Sequence, residues 1–251
     1  MPSKILFLLS FLLVLCGCVF LRSSPEPTTI VRAEDGMEMV LVADQNAINP
    51  ETNAEVPPFW IDKYEVTNQQ YERCVELGHC SAPGFVNSYT RDSYYGNEKF
   101  SHYPVINVTW DQARRYCESV NARLPVVEEW IRAAGGHMDK GNYPWGDKNP
   151  TENLANFNQQ AGDTVQVGSY PDGASPYGVL DMAGNVWEWI DSKSGTKPDC
   201  CGINPADQYQ IILGGSWMSN TESLLIKNQM YIHYLSGGED VGFRCVMDVK
   251  E

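Results

Sequence analysis

The sequence predicts an α+β domain with little regular secondary structure, and three observations carry that expectation. Two stretches have helical periodicity directly behind a threonine: NQQYERCVEL after Thr67 and WDQARRYCESV after Thr109. Several short apolar stretches have the length of single strands, among them GMEMVLV and QIILGGSW. Between residues 141 and 178 there is almost no periodicity, yet Tyr143, Trp145, Phe157, Tyr170 and Tyr177 are residues of the buried kind. An irregular stretch that rich in aromatics reads as packed loops rather than as disorder.

In chain order, residues 36–42 read as a short strand, followed by a turn-rich loop and a second strand over residues 59–66. Thr67 caps the first helix, because its hydroxyl can take an orphan backbone N–H of the first turn, and Gly78 ends it. Residues 103–108 read as a third strand. Thr109 caps the second helix, in which Trp110, Ala113, Tyr116, Cys117 and Val120 fall on one face. Asn121 closes it. LPVVEEWIRAAGG adds a short helix before two glycines. After the irregular middle come the WEW segment, a Pro/Cys/Gly loop over 195–207, the strand QIILGGSW and a last strand, VGFRCVMD.

The chain has 251 residues and a formal charge of −14, which argues against nucleic acid as a partner. Lys4 precedes an apolar run over residues 5–15, of secretory length and short for a bilayer span. Leu15-Cys16-Gly17-Cys18 then resembles a bacterial lipobox. Residues 1–17 are therefore expected to be a lipoprotein signal peptide with Cys18 as the lipidated residue, although an uncleaved anchor running to Leu21 fits the same apolar run. Residues 18–35, which include SSPEPTT, read as a flexible tether, and residues 36–250 as the folded domain. This places the protein in the cell envelope outside the cytoplasm, on the outer membrane where the host has one, with the membrane itself as one partner.

Six cysteines remain beyond Cys18: Cys74, Cys80, Cys117, Cys200, Cys201 and Cys245. An even number in an exported chain points to disulfides. Cys74 and Cys80 lie at and just past a helix end, where a local bridge fits, although two free buried thiols fit there as well. His79, His102, His137 and His233 are scattered and show no ligand spacing.

Residues 177–190, YGVLDMAGNVWEWI, set Asp181 and Glu188 among apolar residues. A carboxylate between Trp187 and Trp189 must be exposed, or paired with a cation or with hydrogen-bond donors. Gly184 and Asn185 supply a tight turn that can bring both acids and nearby carbonyls to one point, a hard-oxygen set suited to calcium. The competing reading is an ion pair between Glu188 and Arg244 or Arg132. On spacing alone the ion pair is the commoner outcome.

FWIDKYEVTNQQY, YPVINVTWDQARRYC, ARLPVVEEW, YPWGD, SPYGVLDMAGNVWEW, GGSWM and VGFRC occur here in one order. Together they closely resemble the formylglycine-generating enzyme, or sulfatase-modifying factor, family over residues 36–248. The resemblance implies a C-type-lectin-like fold with long irregular loops. It implies a disulfide between Cys117 and Cys245. It also implies calcium held by the side chains of Asp181 and Glu188 and the carbonyls of Gly184 and Val186, which shifts the reading of this segment from ion pair to metal. A second calcium set would use Asn156, the Phe157 carbonyl, Asp163 and the Val165 carbonyl.

The departures concern catalysis. Enzymes of this family hold copper on two thiolates, at positions that here are Ser219 and Leu224. A hydroxyl is a poor ligand for soft Cu(I) and a hydrocarbon is none, so copper is not expected and no catalytic residue is assigned. Three functions compete. The first is a non-catalytic binding or structural lipoprotein whose partner is an envelope protein or peptide. The second is an oxidase that converts a sulfatase cysteine to formylglycine through other residues. The third is an iron-dependent sulfoxide-forming relative, which would need a histidine cluster. The missing thiols and the scattered histidines favour the first. Cys200 and Cys201 are left as a vicinal pair or an intermolecular contact. Ser216, Trp217, Asn220, Asn228, Tyr231 and Tyr234 form a candidate binding face, with ordinary loop packing as its alternative.

Overall fold

The computed structural model describes residues 28–43, 56–135, 142–191 and 208–249. The signal segment, Cys18, His137, Cys200 and Cys201 lie outside the described residues. Among the described residues, eight short strands form two four-stranded sheets. The first sheet contains β1 (Thr29–Val31), β2 (Glu38–Val42), β3 (Phe59–Asp62) and β8 (Val246–Asp248), in that order. The second has the order β6-β5-β4-β7, with β4 at Trp187–Trp189, β5 at Tyr209–Leu213, β6 at Met230–His233 and β7 at Val241–Gly242. Every pairing is antiparallel except β4 with β7, which sets Glu188 beside Gly242.

The helices are α1 (Asn68–Glu76), α2 (Trp110–Ser119) and α3 (Val127–Gly135). Thr67 and Thr109 cap the first two as expected. Each cap is reciprocal: the threonine hydroxyl accepts the N–H of Gln70 or Gln112, and that glutamine side chain accepts the threonine N–H. One core packs α1 and α2 against Trp187, Trp189 and Phe243, with the rings of Tyr71 and Tyr116 stacked at 5.6 Å. A second core packs α3 against β2, β3 and β5 through Val40, Ile61, Trp130, Ile131 and Leu213.

Three sequence expectations change. Residues 29–31, read as tether, form β1 on β2, and Arg32 is buried between Asp35 and Asp62 at 2.6 and 2.8 Å. The segment from residue 28 therefore belongs to the fold. Proline and serine upstream gave it a linker composition, but one arginine with two acidic partners anchors it. The expected strand over 103–108 is only an isolated bridge between Thr67 and Pro104. Its apolar character reflects burial, since Val105, Ile106 and Val108 are almost fully enclosed. Finally, VGFRCVMD is not one strand. It divides into β7 and β8, one in each sheet, and Phe243, Arg244 and Cys245 make the crossing.

Both expected disulfides are formed. Cys117–Cys245 fastens α2 to the crossing between the sheets, and Cys74–Cys80 closes the end of α1. Residues 142–178 are turns and loops apart from a single 3-10 turn at Pro171–Gly173, as the aperiodic sequence indicated.

Candidate functional site

Residues 181–188 thread through the middle of the molecule, and every one of them is buried. The turn depends on left-handed backbone at Asp181 (φ 59°), Gly184 (φ 84°) and Asn185 (φ 61°). Gly184 is the sterically obligatory position, because a Cβ there would lie 2.4 Å from the Asn156 carbonyl oxygen.

Glu188 is completely enclosed and fully engaged. Its Oε1 accepts from Arg244 Nη2 at 2.7 Å, and its Oε2 accepts from Arg244 Nε and Trp130 Nε1, both at 2.7 Å. Arg244 also donates to the carbonyls of Asp62 and Leu180. This is the bidentate geometry that makes arginine a strong partner for a buried carboxylate. The ion-pair reading therefore describes Glu188, with Arg244 as the partner. Arg132, the other cation considered, donates instead to the Val56 carbonyl. A calcium ion bound by Glu188 would have to face a guanidinium already seated on the same oxygens, so this residue does not fit the role that the resemblance implied.

Asp181 is different. Its Oδ2 accepts one N–H, from Gly168 at 2.5 Å, and its carboxyl lies within hydrogen-bonding reach of the Glu65 carboxyl. Glu65 is fully buried. Its Oε1 accepts from Asn185 Nδ2 at 3.0 Å, while no donor among the described residues meets its Oε2. Burial pushes the Asp181 carboxyl up to about 6, against the opposing pull of the Gly168 amide and Arg244. Glu65 is raised well above the usual carboxylate range, first by burial and then by the Asp181 charge. The centre thus holds three buried acids, Glu65, Asp181 and Glu188, around one guanidinium. Glu65 was not singled out in the sequence, although it carries the same signal as Glu188: an acid flanked by apolar residues, here Tyr64 and Val66.

The second expected calcium set is also divided. Asp163 Oδ2 accepts from Ser88 Oγ, Thr90 N and Thr90 Oγ1 at 2.7–2.9 Å, and its Oδ1 accepts from Thr164 N at 2.7 Å with Arg91 at 3.2 Å. Burial alone would raise this carboxyl, but those donors outweigh it and hold it below the usual range. The Phe157 carbonyl accepts from Gln160 N, and the Val165 carbonyl from Asn185 Nδ2. Only Asn156 presents an unused buried oxygen, Oδ1, with its Nδ2 given to the Asp163 carbonyl. Asn156 fits a cation, whereas Asp163 is already saturated by donors. Among the described residues, no three His, Cys, Asp or Glu side chains gather as a metal site.

At the positions of the family's copper thiolates, Ser219 Oγ accepts the Ser216 N–H at 2.9 Å, and Ser216 Oγ donates to Asp240 at 2.8 Å. Leu224 is fully buried with Tyr143, Ala155, Phe157 and Ala183. It packs so closely on Gly215 that a Cβ there would sit 2.7 Å from the leucine methyl. Of the candidate binding face, Ser216 and Trp217 are fully buried, and the Trp217 ring lies 5.2 Å from that of Tyr89. Both belong to the packing, not to a surface. Asn220 and Asn228 satisfy the turn over 220–228, through Ser223 and the Glu222 carbonyl. Tyr234 is half-buried and stacks on His233, which leaves Tyr231 as the exposed aromatic of the six.

Among the described residues, one short antiparallel sheet, one short mixed sheet, three small α-helices and long packed loops define a C-type-lectin-like fold of the formylglycine-generating type. The model of the sulfatase-modifying factor enzyme 1-like domain matches residues 20–249, and the chain belongs to that family. The chain is similar to the serine/threonine-protein kinase Pkn1 of Chlamydia trachomatis serovar L2, at 32% identity over 80% of this chain and 35% of that protein. It is also similar to the inactive C-alpha-formylglycine-generating enzyme 2 of Bos taurus, at 34% identity over 57% of this chain and 50% of that one. It therefore spans about a third to a half of these relatives. Among solved structures, PvdO from Pseudomonas aeruginosa superposes with a TM-score of 0.65 at 19% identity, covering 88% of this chain and 98% of that one, a likeness of fold.

Proposed function

We propose that this is an exported, lipid-anchored member of the family that does not generate formylglycine, and that it serves the cell envelope as a calcium-stabilised binding or structural module. One observation carries the non-catalytic reading: Leu224 is locked into hydrocarbon where the chemistry needs a thiolate, and Ser219 is tied to Ser216. A thiolate is the effective soft-metal ligand and nucleophile. The four cysteines among the described residues are consumed in two disulfides. The similarity to a relative named as inactive points the same way. Lipidation of Cys18 supplies the membrane as one partner, and a second partner would be an envelope protein or peptide. Calcium would neutralise acid buried at the centre, where Glu65 and Asn156 hold unused oxygens.

The assay supplies the protein with a sulfatase-type cysteine peptide, copper and oxygen, and looks for the aldehyde by mass spectrometry. No product is expected. Turnover that survives purification would replace this reading with an oxidase, and its loss on substituting Cys200 and Cys201 would name the thiols responsible.

A further inference from the structure

The loop over residues 84–91 carries apolar side chains on its outside while its backbone is tied down beneath them. Phe85, Val86 and Tyr89 are 68%, 54% and 60% exposed. Three large apolar side chains on one short loop are a patch rather than scattered exposure, and covering them is favourable. The loop is not free to turn them inward. The Val86 carbonyl accepts the N–H groups of Tyr94 and Tyr95, the Asn87 carbonyl accepts Asn107 Nδ2, and Gly84 N donates to the Asn107 carbonyl. Ser88 Oγ and the Thr90 N–H both donate to buried Asp163. Asn107 holds a second loop as well, since its N–H donates to the Gly238 carbonyl and Gly237 lies against its backbone. On that loop Glu239 accepts from Asn87 Nδ2, and its carbonyl accepts the Trp217 indole N–H. The Tyr89 ring lies 5.2 Å from that of Trp217, and the neighbouring Met218 is exposed. The two loops and Met218 therefore make one hydrogen-bonded, outward-facing apolar patch.

We propose that this patch docks a partner polypeptide through a segment that combines apolar side chains with Lys or Arg. The proposal rests on the binding-module reading above and names its face and the chemistry of its partner. Charge decides among the occupants. The loop's own cation, Arg91, is turned inward: its guanidinium meets Thr164 and Asp163 and lies 4.8 Å from the Phe100 ring. Exposed Asp92 and half-buried Glu239 leave the border of the patch acidic, on a chain of formal charge −14. A second copy would set the same acids against each other, and an anionic lipid surface would repel them, because juxtaposed like charges weaken association. A basic segment meets these acids with opposite charge while its apolar side chains cover Phe85, Val86 and Tyr89. Aromatic residues and methionine are the types in which interface cores are enriched. Because hydrogen bonds already fix the loop, little loss of loop entropy opposes docking.

The test uses the full chain in zwitterionic phospholipid nanodiscs, with empty nanodiscs as the blank. The probes are fluorescein-labelled peptides in which leucine alternates with lysine, leucine with glutamate, or serine with lysine, and the readout is anisotropy. The leucine–lysine peptide should bind more tightly than the other two. Phe85→Ser with Val86→Ser should raise its Kd by roughly tenfold or more. Leu77→Ser, which alters a comparably exposed side chain just past α1, should leave that Kd unchanged. In cells, Phe85→p-benzoylphenylalanine should crosslink on irradiation to a polypeptide, and the attached segment, mapped by mass spectrometry, should combine apolar residues with Lys or Arg. Should the double serine variant melt lower than wild type, this crosslink still decides. An adduct with a second copy of this chain, with lipid or with an acidic segment would overturn the proposal, as would no adduct at all or an unchanged Kd in a folded double variant. If Leu77→p-benzoylphenylalanine captures a polypeptide and Phe85→p-benzoylphenylalanine none, this face falls while the binding-module reading stands. If neither position captures a polypeptide and no peptide binds, both fall.

Discussion

Arg244 meets Glu188 through two hydrogen bonds of 2.7 Å, one to each carboxylate oxygen, at a point where neither residue is exposed to solvent. The pair adds a side-chain link just beyond the β4–β7 ladder, which sets Glu188 beside Gly242. Glu188 is on β4, and Arg244 is on the crossing from β7 to β8, with its other donors on the Asp62 and Leu180 carbonyls. Removing one partner leaves an uncompensated buried charge, a cost of about 3–5 kcal/mol. Arg244→Met should lower the free energy of unfolding by that amount, read as a lower denaturant midpoint at unchanged m-value. The double variant Arg244→Met with Glu188→Gln should recover part of the loss, because the stranded carboxylate is gone. Equal stability of the single and double variants would mean that the charge is not what matters.

The raised carboxyls of Glu65 and Asp181 set the sign of the pH dependence in the metal-free protein. Both are lifted above their unfolded values, Asp181 to about 6. The folded state therefore retains protons that the unfolded chain releases, so their contribution is most favourable below the unfolded values near 4 and is lost as pH rises through about 6. For Asp181 this amounts to roughly 1–3 kcal/mol, from about two units at 1.36 kcal/mol each. Urea midpoints measured in chelator from pH 4.5 to about 7.5 should fall more steeply in wild type than in Asp181→Asn. Calcium should flatten the wild-type curve. A curve that rises over this interval and is unaltered by the substitution would refute the assignment.

Much of this site was legible in the sequence. Trp187 and Trp189 marked Glu188 as a carboxylate needing a partner, and Arg244, in the last expected strand, stood among the candidates. Spacing along the chain could not choose between Arg244 and a cation, since that depends on a crossing between two sheets. The caps were visible because the Thr67–Gln70 and Thr109–Gln112 pairs act within one helical turn. Arg32 was missed for the opposite reason. Its partner Asp62 is 30 residues away, and only the sheet register brings the two together. For Trp217 the sequence left a binding face and ordinary loop packing both open, and the packing that buries it comes from loops at 89 and 239 that its local sequence does not reveal.

The Cys117–Cys245 bridge lies one residue from Arg244 and ties the same crossing to α2, over a sequence separation of 128. Its removal should cost about 2–5 kcal/mol. Cys117→Ala with Cys245→Ala should lower the melting temperature far more than the Cys74/Cys80 double variant, which opens a separation of six residues at one helix end. Equal losses would show that loop length and placement at the crossing are irrelevant here.

The N-terminal segment yields the last prediction. Arg32 donates to Asp35 and Asp62, Tyr116 donates to Asp35, and β1 pairs with β2, so the fold begins by residue 28. If Cys18 carries the lipid, only about ten residues separate the anchor from the domain, which at full extension span at most about 35 Å. The domain would then sit close to the membrane face, with Thr28 and β1 nearest the anchor. Cys18→Ala should release the protein to the soluble fraction with its melting temperature unchanged, because that residue lies before the packed segment. Arg32→Ala should do the reverse: the protein stays with the membrane but loses about 3–5 kcal/mol as Asp62 is left buried without its partner. A Cys18→Ala protein that remained membrane-bound would mean that the apolar run over residues 5–15 is kept as an anchor, and that the lipid is not what holds the domain there.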